Sequence, residues 1–322
     1  MSTRSLGVLA SAFAFAAAVP FASAQTYPEK PIVFVVPFAA GSATDGLARV
    51  IGQEVTRDSG QRVVVDDRPG ANGFIGAQQA AKATPDGYTA FVTTNTTHAA
   101  NQHLFKQLPY DPVKDFSPVT TLAKGYQVMV VNVRVPAKTV AQFTALAKKA
   151  AGQLTFGEGS SSARVAVEMY QQMSGTRLVH VPYKSNPLAI TDLIGGQIDV
   201  MIVDMPTGLP HIQSGRLTGL AVTSAKRLPQ ARDLPTMSEA GIKGYEMSYW
   251  FAAYLPAKTP TAIVKRLNEL MVKAVGAEAV KGFFAKSGLE PFTTTPDQLS
   301  AFQATEAEKW GRIIQAAGIQ PE

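Results

Sequence analysis

Hydrophobic positions along the chain alternate between short apolar runs and stretches with helical spacing. Ile32–Val36 is a continuous, mostly β-branched apolar run, which is typical of a strand buried on both faces. The apolar positions of residues 45–51 then follow helical spacing, and residues 63–65 and 88–93 predict two further strands around a second helix at 78–82. This order of strand, loop and helix predicts parallel sheets with helices on both faces.

A second series of the same kind begins near residue 126. Because 322 residues exceed what one hydrophobic core usually fills, we expect about two domains. No low-complexity linker separates the two series, so two lobes joined by short crossings are predicted. The predicted strands are 127–132, 154–156, 178–181, 198–203, 219–222 and 250–255, and the predicted helices are 140–151, 162–174, 188–194, 261–275 and 295–316.

The first 24 residues have the three parts of a secretory signal peptide. Arg4 precedes an apolar run at residues 6–19, Pro20 ends that run, and residues 22–24 form a small-residue cleavage site. The run is too short to remain as a membrane-spanning helix. We therefore expect cleavage after Ala24 and a mature protein in the periplasm.

Composition excludes several classes of site. The chain contains no cysteine, which excludes disulfides, zinc–thiolate sites, iron–sulfur clusters, a cysteine nucleophile and a lipid-anchored cysteine. Its net charge of +6 is small and not clustered, so a nucleic-acid partner is not expected. The four histidines lack metal-ligand spacing. We predict neither a metal nor an organic cofactor.

Catalytic motifs are weak. Residues 159–163 (Gly-Ser-Ser-Ser-Ala) depart from the G-x-S-x-G nucleophile elbow because Ala163 replaces the second glycine. A secreted hydrolase with its nucleophile among residues 160–162 stays open as an alternative. We assign no catalytic residue and expect a protein that is not an enzyme.

Three loops deliver small residues to predicted helix N-termini, at residues 37–45, 69–73 and 157–162. Small side chains expose backbone N–H groups, and the helix dipole adds partial positive charge, so such loops bind anions without a basic side chain. In open α/β sheets ligands lie beyond the carboxyl ends of strands, where these loops are placed. Helix capping alone explains any one loop. The three together favour a carboxylate-binding cleft.

At these loops the sequence resembles the Bug (TctC-like) family, the periplasmic solute-binding proteins of tripartite tricarboxylate transporters. The resemblance covers residues 27–322 and implies an α/β, type II-like periplasmic-binding-protein fold. Each of its two lobes would hold a mostly parallel sheet flanked by helices, with a hinge between the lobes. The motifs that carry the resemblance are residues 27–32, 37–45, 69–73, 108–112, 180–184 and 193–201.

The resemblance also implies a lobe division and a ligand site. We expect a first lobe built from residues 25–124 and 228–322, with residues 125–227 forming the second lobe. The candidate ligand-binding residues are Phe38, Ala39, Ala40, Gly41, Ser42, Ala43, Thr44, Asp45, Asn72, Gly73, Thr94, Thr97, His98, Gly159, Ser160, Ser161, Ser162, Tyr183 and Asp204.

Three departures from the family pattern bear on the ligand. Ser42 stands where the family usually has a second glycine, and Ser185-Asn186 replaces Gly-Gly after Tyr183-Lys184. Asp204 lies one position beyond the usual aspartate. If Asp204 faces the cleft it could select a ligand amino group; otherwise it is a cap or a hinge residue. Glu158 is unfavourable beside a carboxylate unless it points away or meets a ligand donor.

The function that follows is a monomeric periplasmic receptor that closes on a small carboxylate and delivers it to a tripartite tricarboxylate permease. Di- and tricarboxylates, amino acids and aromatic acids all remain open as ligands. A secreted serine hydrolase and a ligand-dependent signalling partner are the alternatives.

Overall fold

The computed structural model describes residues 27–322, so the predicted signal peptide and its cleavage site lie outside the described residues. Along residues 27–322, none of the helices combines the length and apolar character needed to cross a membrane. This part of the chain forms an α/β fold in which ten strands are joined into mixed sheets with helices packed against them.

The first sheet is built around the run that the sequence marks as a buried strand. β1 (Ile32–Val36) lies between β2 (Val63–Asp67) and β3 (Thr89–Thr94), and all three strands are parallel. β9 (Ser248–Pro256) joins this group as an antiparallel neighbour of β3. The parallel strands confirm the predicted parallel pairing, while the antiparallel neighbours make the sheet mixed.

A single long strand, β4 (Phe116–Asn132), connects the two halves of the molecule. From Phe116 to Tyr126 it pairs with β9, and the short β10 (Leu289–Pro291) lies on its other side. From Gln127 onward it pairs with β7 (Val200–Asp204) and β8 (Leu217–Val222). We call the two groups of strands, with their helices, the first and second lobes.

The second lobe completes its sheet with two parallel strands. β5 (Thr155–Glu158) pairs with β6 (Val179–Pro182) and with β7. The helices of the described residues are α1 (Ala43–Ser59), α2 (Phe74–Ala81), α3 (Asn101–Leu104), α4 (Val140–Ala150), α5 (Ser161–Ser174), α6 (Asn186–Gly195), α7 (Met205–Gln213), α8 (Thr261–Val275), α9 (Glu278–Ser287) and α10 (Pro296–Ala316). Short 3-10 turns lie at Ala71–Gly73 and Pro229–Ala231, and a π-helical turn lies at Thr96–Ala100.

β1 is buried on both faces, as its sequence predicts. Phe34 and Val36 pack with Leu47 of α1 in one hydrophobic cluster, whereas Val35 packs with Phe91 of β3 in another. Burial of a side chain of this size stabilises the fold by about 1.5–3 kcal/mol relative to exposure. The strand is thus held from both sides, which fixes the loop that follows it.

Candidate functional site

A narrow cavity opens where the carboxyl ends of strands from both lobes meet the N-termini of helices. Within it, the space that the centre of a water molecule can occupy is about 30 Å³. The lining residues are Phe38, Ser42, Ala43, Thr44, Thr94, Gln127, Ser160, Ser162, Ser185, Asn186, Asp204, Tyr249 and Phe251.

Four helices begin at this cavity. Their N-cap residues are Ser42 of α1, Ser160 of α5, Ser185 of α6 and Asp204 of α7, and all four line it. The first amides of a helix have no carbonyl partner within the helix, and the dipole is positive at that end. Within residues 27–322, the lining includes no lysine or arginine. Positive potential at the cavity therefore comes from backbone amides rather than from basic side chains.

The first-lobe loop, residues 37–45, contains an acidic residue of its own, Asp45. The carboxylate of Asp45, in the first turn of α1, accepts a hydrogen bond from Gly41 N at 2.8 Å and lies 2.6 Å from Arg49 Nε. Asp45 is buried and does not line the cavity. Arg49 also pairs with Asp67 at 3.0 Å, and burial, followed by the nearby Asp45, raises the pKa of Asp67 to about 6. Asp45 thus holds the conformation of this loop through Gly41 and Arg49.

In the second-lobe loop, residues 157–162, the backbone of Gly159 lies directly against the backbone of Ser185 and Asn186. A Cβ on Gly159 would lie 2.0 Å from the carbonyl carbon of Ser185 and 2.1 Å from Asn186 N, so only glycine fits there. Gly159 N donates to Asn186 Oδ1 at 2.9 Å. This contact sets the N-termini of α5 and α6 side by side. Ser160 Oγ caps α5 by accepting from Ala163 N at 3.3 Å.

The carboxylate of Glu158 contacts His180. Its side chain is 1 % exposed, and its Oε1 lies 3.0 Å from His180 Nε2. Glu158 is absent from the cavity lining. The carboxylate therefore does not oppose an anion in the cavity.

An amide, a carboxyl group and a phenol reach the cavity from three strands, and we call these residues the strand group: Gln127 of β4, Asp204 of β7 and Tyr249 of β9. Gln127 and Asp204 are direct neighbours in the β4–β7 register. Tyr249 lies opposite Gly125, where any Cβ would come within 2.6 Å of the phenol oxygen. Gly125 thus makes room for the Tyr249 ring.

Asp204 is both a helix cap and a lining residue. Its Oδ1 accepts from Thr207 N at 3.0 Å and from the Thr207 hydroxyl, and its Oδ2 accepts from Asn186 Nδ2 at 2.8 Å. Burial raises the pKa of Asp204. Burial and then the charge of Asp204 raise the pKa of Tyr249 as well. The sequence left open whether Asp204 is a helix cap or faces the cleft. In the structure it caps α7 and also lines the cavity.

His98 is not among the residues that line the cavity. The side chain is 0 % exposed, and its ring stacks on Tyr254 with centroids 3.9 Å apart, next to Phe91 and Phe116. Its Nδ1 hydrogen-bonds with Thr97 Oγ1 at 2.9 Å. Burial lowers the pKa of His98 to about 3. The histidine is a neutral member of the aromatic core behind the end of β3.

Some predicted residues form hydrogen bonds outside the cavity lining. The Asn72 carbonyl accepts from Asn101 Nδ2 at 2.9 Å, and Ser161 Oγ donates to Asn101 Oδ1 at 2.6 Å. Tyr183 donates to Asp192 Oδ2 at 2.8 Å, and burial followed by Asp192 raises the pKa of Tyr183 to about 12. The predicted residues that do not line the cavity are Ala39, Ala40, Gly41, Asp45, Asn72, Gly73, Thr97, His98, Gly159, Ser161 and Tyr183.

The cavity brings together eight predicted residues: Phe38, Ser42, Ala43, Thr44, Thr94, Ser160, Ser162 and Asp204. It also contains five that are not among the candidates: Gln127, Ser185, Asn186, Tyr249 and Phe251. Gln127 has a detectable signal, because it is a polar residue directly before the apolar run at residues 128–131. In residues 27–322 no group of three or more side chains is placed to hold a metal ion.

Comparison with known proteins gives a consistent result. Residues 47–319 match the family model described as "Tripartite tricarboxylate transporter family receptor" (TctC). The chain is 34% identical over 321 residues to protein BugT of Bordetella pertussis, covering 99% of this chain and 98% of BugT.

Solved structures show the same architecture. An R. palustris protein with adipate superposes with a TM-score of 0.89 at 33% identity, covering 92% of this chain and 100% of that one. The periplasmic binding protein BugD superposes with a TM-score of 0.86 at 29% identity, covering 92% of this chain and 100% of BugD. MatC from Rhodopseudomonas palustris, with bound malate, gives 0.83 at 26% identity, covering 89% and 100%. The chain belongs to the TctC family of tripartite tricarboxylate transporter receptors, periplasmic solute-binding proteins with a two-lobed fold.

Proposed function

We propose that this protein captures a small carboxylate between its lobes in the periplasm and delivers it to the membrane permease of a tripartite tricarboxylate transporter. The observation that carries the proposal is the convergence of four helix N-termini on one narrow cavity. Three of these helices begin at neutral serines, so their amides and dipoles favour an anion. A ligand carboxylate would accept hydrogen bonds from the first turns of α1 and α5.

Structural relatives support a carboxylate as the ligand. One relative is solved with adipate and another with malate, and both are dicarboxylates. The residues proposed to contact the ligand here are those that line the cavity, including Phe38 and Thr94 of the first lobe and Ser160 and Ser162 of the second.

Closure of the two lobes would couple binding to transport. The lobes touch beside the cavity, where Ala39 N donates to Ser185 Oγ at 3.2 Å. Farther out, Arg164 Nη1 of α5 lies 2.6 Å from Glu322 Oε1 at the C-terminal end. A ligand that contacts both lobes lowers the free energy of the closed state, and the permease would recognise that state.

The switch in β4 pairing supports the lobe division inferred from sequence. Tyr126 pairs with β9 and Gln127 with β7, close to the proposed boundary at residue 125. We propose residues 25–124 and 228–322 for the first lobe and 125–227 for the second. We also propose that the signal peptide is removed after Ala24 and that the mature receptor works as a monomer.

The serines of the second-lobe loop support binding rather than hydrolysis. Ser160 Oγ and Ser162 Oγ lie 3.3 Å from each other, and Ser161 Oγ donates to Asn101. The histidine that a serine nucleophile needs as a base is not among their hydrogen-bond partners within residues 27–322. We infer that the protein transfers its ligand unchanged.

Titration calorimetry and thermal unfolding with a panel of small carboxylates test the proposal. Each acid is paired with its uncharged amide, such as succinate with succinamide. We expect saturable binding of at least one acid, weaker binding of its amide, and about 2.7 kcal/mol of added stability at 100 times the dissociation constant.

An esterase assay with and without Ser160→Ala and Ser162→Ala provides the opposite arm. Turnover that these substitutions abolish, together with no carboxylate binding, would establish the hydrolase instead.

A further inference from the structure

The strand group contains a carboxyl group, that of Asp204, that lacks a cationic partner. Every donor to the carboxylate of Asp204 is neutral: Thr207 N, the Thr207 hydroxyl and Asn186 Nδ2. Asp204 is 9 % exposed and forms no ion pair with the basic side chains of residues 27–322. Buried carboxylates in proteins are normally paired with a cation. A cationic group on the ligand would supply this missing partner.

The two other members of the strand group also lack partners. Gln127 Oε1 and the Tyr249 hydroxyl are buried and form no hydrogen bond within residues 27–322, and both residues line the cavity. Unsatisfied buried polar atoms are rare in folded proteins. An amide oxygen can only accept, and a phenol oxygen can accept as well as donate. The group that satisfies both, next to Asp204, is a donor with several hydrogens.

A protonated amine meets these requirements, since it carries a positive charge and three N–H donors. A second carboxylate does not, because it offers only acceptors to Gln127 Oε1 and is repelled by Asp204. The two kinds of surface in the cavity, helix N-termini and strand group, thus favour opposite charges.

We infer that the ligand is a small amino acid, with its carboxylate at the helix N-termini and its ammonium group against Asp204, Gln127 and Tyr249, rather than a dicarboxylate. This inference rests on the proposed function, because it assigns the chemistry of the same cavity. It also separates this chain from the relatives solved with adipate and malate.

The test uses pairs of probes that differ only at one end: glycine and malonate, β-alanine and succinate, 4-aminobutanoate and glutarate. Dissociation constants are measured by calorimetry at about pH 7.5, where a free amine is still charged. In the pair whose length fits the cavity, we expect the amino acid to bind about tenfold or more tightly, as hydrogen bonds to a charged group imply. Tighter or equal binding of the dicarboxylate in that pair overturns the inference and leaves the proposed function intact. Binding of none of the six probes also overturns the inference, while the wider panel of carboxylates tests the proposed function.

Asp204→Asn removes the charge while keeping a residue that caps helices well. We expect the preference for the amino acid to fall to about onefold, because the charge that selects the ammonium group is gone. The matched substitution Asp233→Asn, at an exposed aspartate outside the cavity, should leave the preference unchanged. A preference that survives Asp204→Asn contradicts the inference.

Tyr249→Phe gives an independent readout if Asp204→Asn fails to fold. It removes an oxygen that has no partner in the described residues, so the fold should tolerate it. We expect a loss of about 3- to 10-fold in amino-acid affinity, in line with one hydrogen bond. Unchanged affinity contradicts the placement of the ammonium group.

Discussion

Two of the loops that bring serine N-caps to the cavity, residues 37–45 of the first lobe and 157–162 of the second, differ in their internal interactions. In the first-lobe loop, Asp45 places a carboxylate in the first turn of α1 and pairs with Arg49. In the second-lobe loop, the first turn of α5 contains no acidic residue. The positive end of the α1 dipole is therefore partly neutralised by the protein, and that of α5 is left for the ligand.

The glycines of the two loops differ in the same way. Gly41 has a φ of +80° with open space around a Cβ, so its conformation is what requires glycine. Gly159 has no room for a Cβ against the backbone of Ser185 and Asn186. Loops that look alike in sequence can thus depend on glycine for different physical reasons.

The largest expected effect comes from comparing these two glycines. Gly159→Ala must displace backbone atoms of the β6–α6 turn, so we expect a loss near the upper end of about 1–3 kcal/mol in unfolding free energy. Gly41→Ala should cost only about 1 kcal/mol, the cost of a positive φ. Urea unfolding of both variants gives the two numbers. Equal losses would show that the close approach at Gly159 is not rigid.

Next in size is the effect of a new charge at α5. Ser162→Asp gives α5 an acidic first turn like that of α1, which helices tolerate well but a bound carboxylate does not. We expect the affinity for the best carboxylate to fall about 100-fold, whereas Ser162→Asn, of similar size and neutral, loses much less. Calorimetry measures both. Similar losses in the two variants would mean that size rather than charge matters there.

The two lobes also differ in the surroundings of a histidine near each loop. His98 of the first lobe is buried with a pKa of about 3, below the usual 6.5, while His180 of the second lobe is paired with Glu158. Between the folded and unfolded pKa values of His98, the unfolded chain binds a proton there and the folded chain does not. The unfolding free energy therefore falls as the pH falls, by about 1.4 kcal/mol per unit.

From about pH 6.5 to pH 5 this contribution amounts to about 2 kcal/mol. His98→Gln, which cannot titrate, should lose that much less stability over the same interval, as measured by urea unfolding at each pH. An identical pH dependence in the variant and the wild type would place the acid sensitivity elsewhere.

The smallest expected effect is at the contact between the first-lobe loop and the β6–α6 turn. Ser185→Ala removes the oxygen that accepts from Ala39 N across the lobes. We expect it to cost about 0.5–1.5 kcal/mol of the closed state and to weaken ligand binding by up to about tenfold. Small-angle scattering with and without ligand should show a larger open fraction in the variant. No change in either measurement would mean that this bond does not contribute to closure.

Much of the fold can be predicted from the sequence because periodicity and burial agree. The run at Ile32–Val36 and the amphipathic segment at Thr261–Val275 both match the structure. The sequence does not reveal the first half of β4, whose pattern is interrupted by Pro118 and Gly125. It does not reveal α7 either, because that helix contains two prolines. In each case tertiary pairing or packing overrides a local breaker.

The sequence predicts the site better at the level of loops than at the level of side chains. Helix N-termini follow from small residues after strands, so Ser42 and Ser160 are found. Which way a side chain turns at a strand end depends on packing from distant segments, and His98 turns into the aromatic core for that reason. Tyr249 lies in the predominantly apolar β9 and belongs to no motif. Only the register that sets it opposite Gly125 brings it to the cavity.

β4 also determines where the length of this chain can vary. Successive residues of this strand have different surroundings. Val128 and Val130 pack in the core of the second lobe, whereas Met129 and Val131 belong to the same hydrophobic cluster as Val35 and Phe91. Gln127 lines the cavity. Adding or removing one residue in a strand turns every following side chain to the opposite face. Because the same strand pairs with both sheets, such a change would misplace both lobes and the ligand contact at once. Insertions and deletions among related receptors should therefore fall in the surface loops and spare this strand.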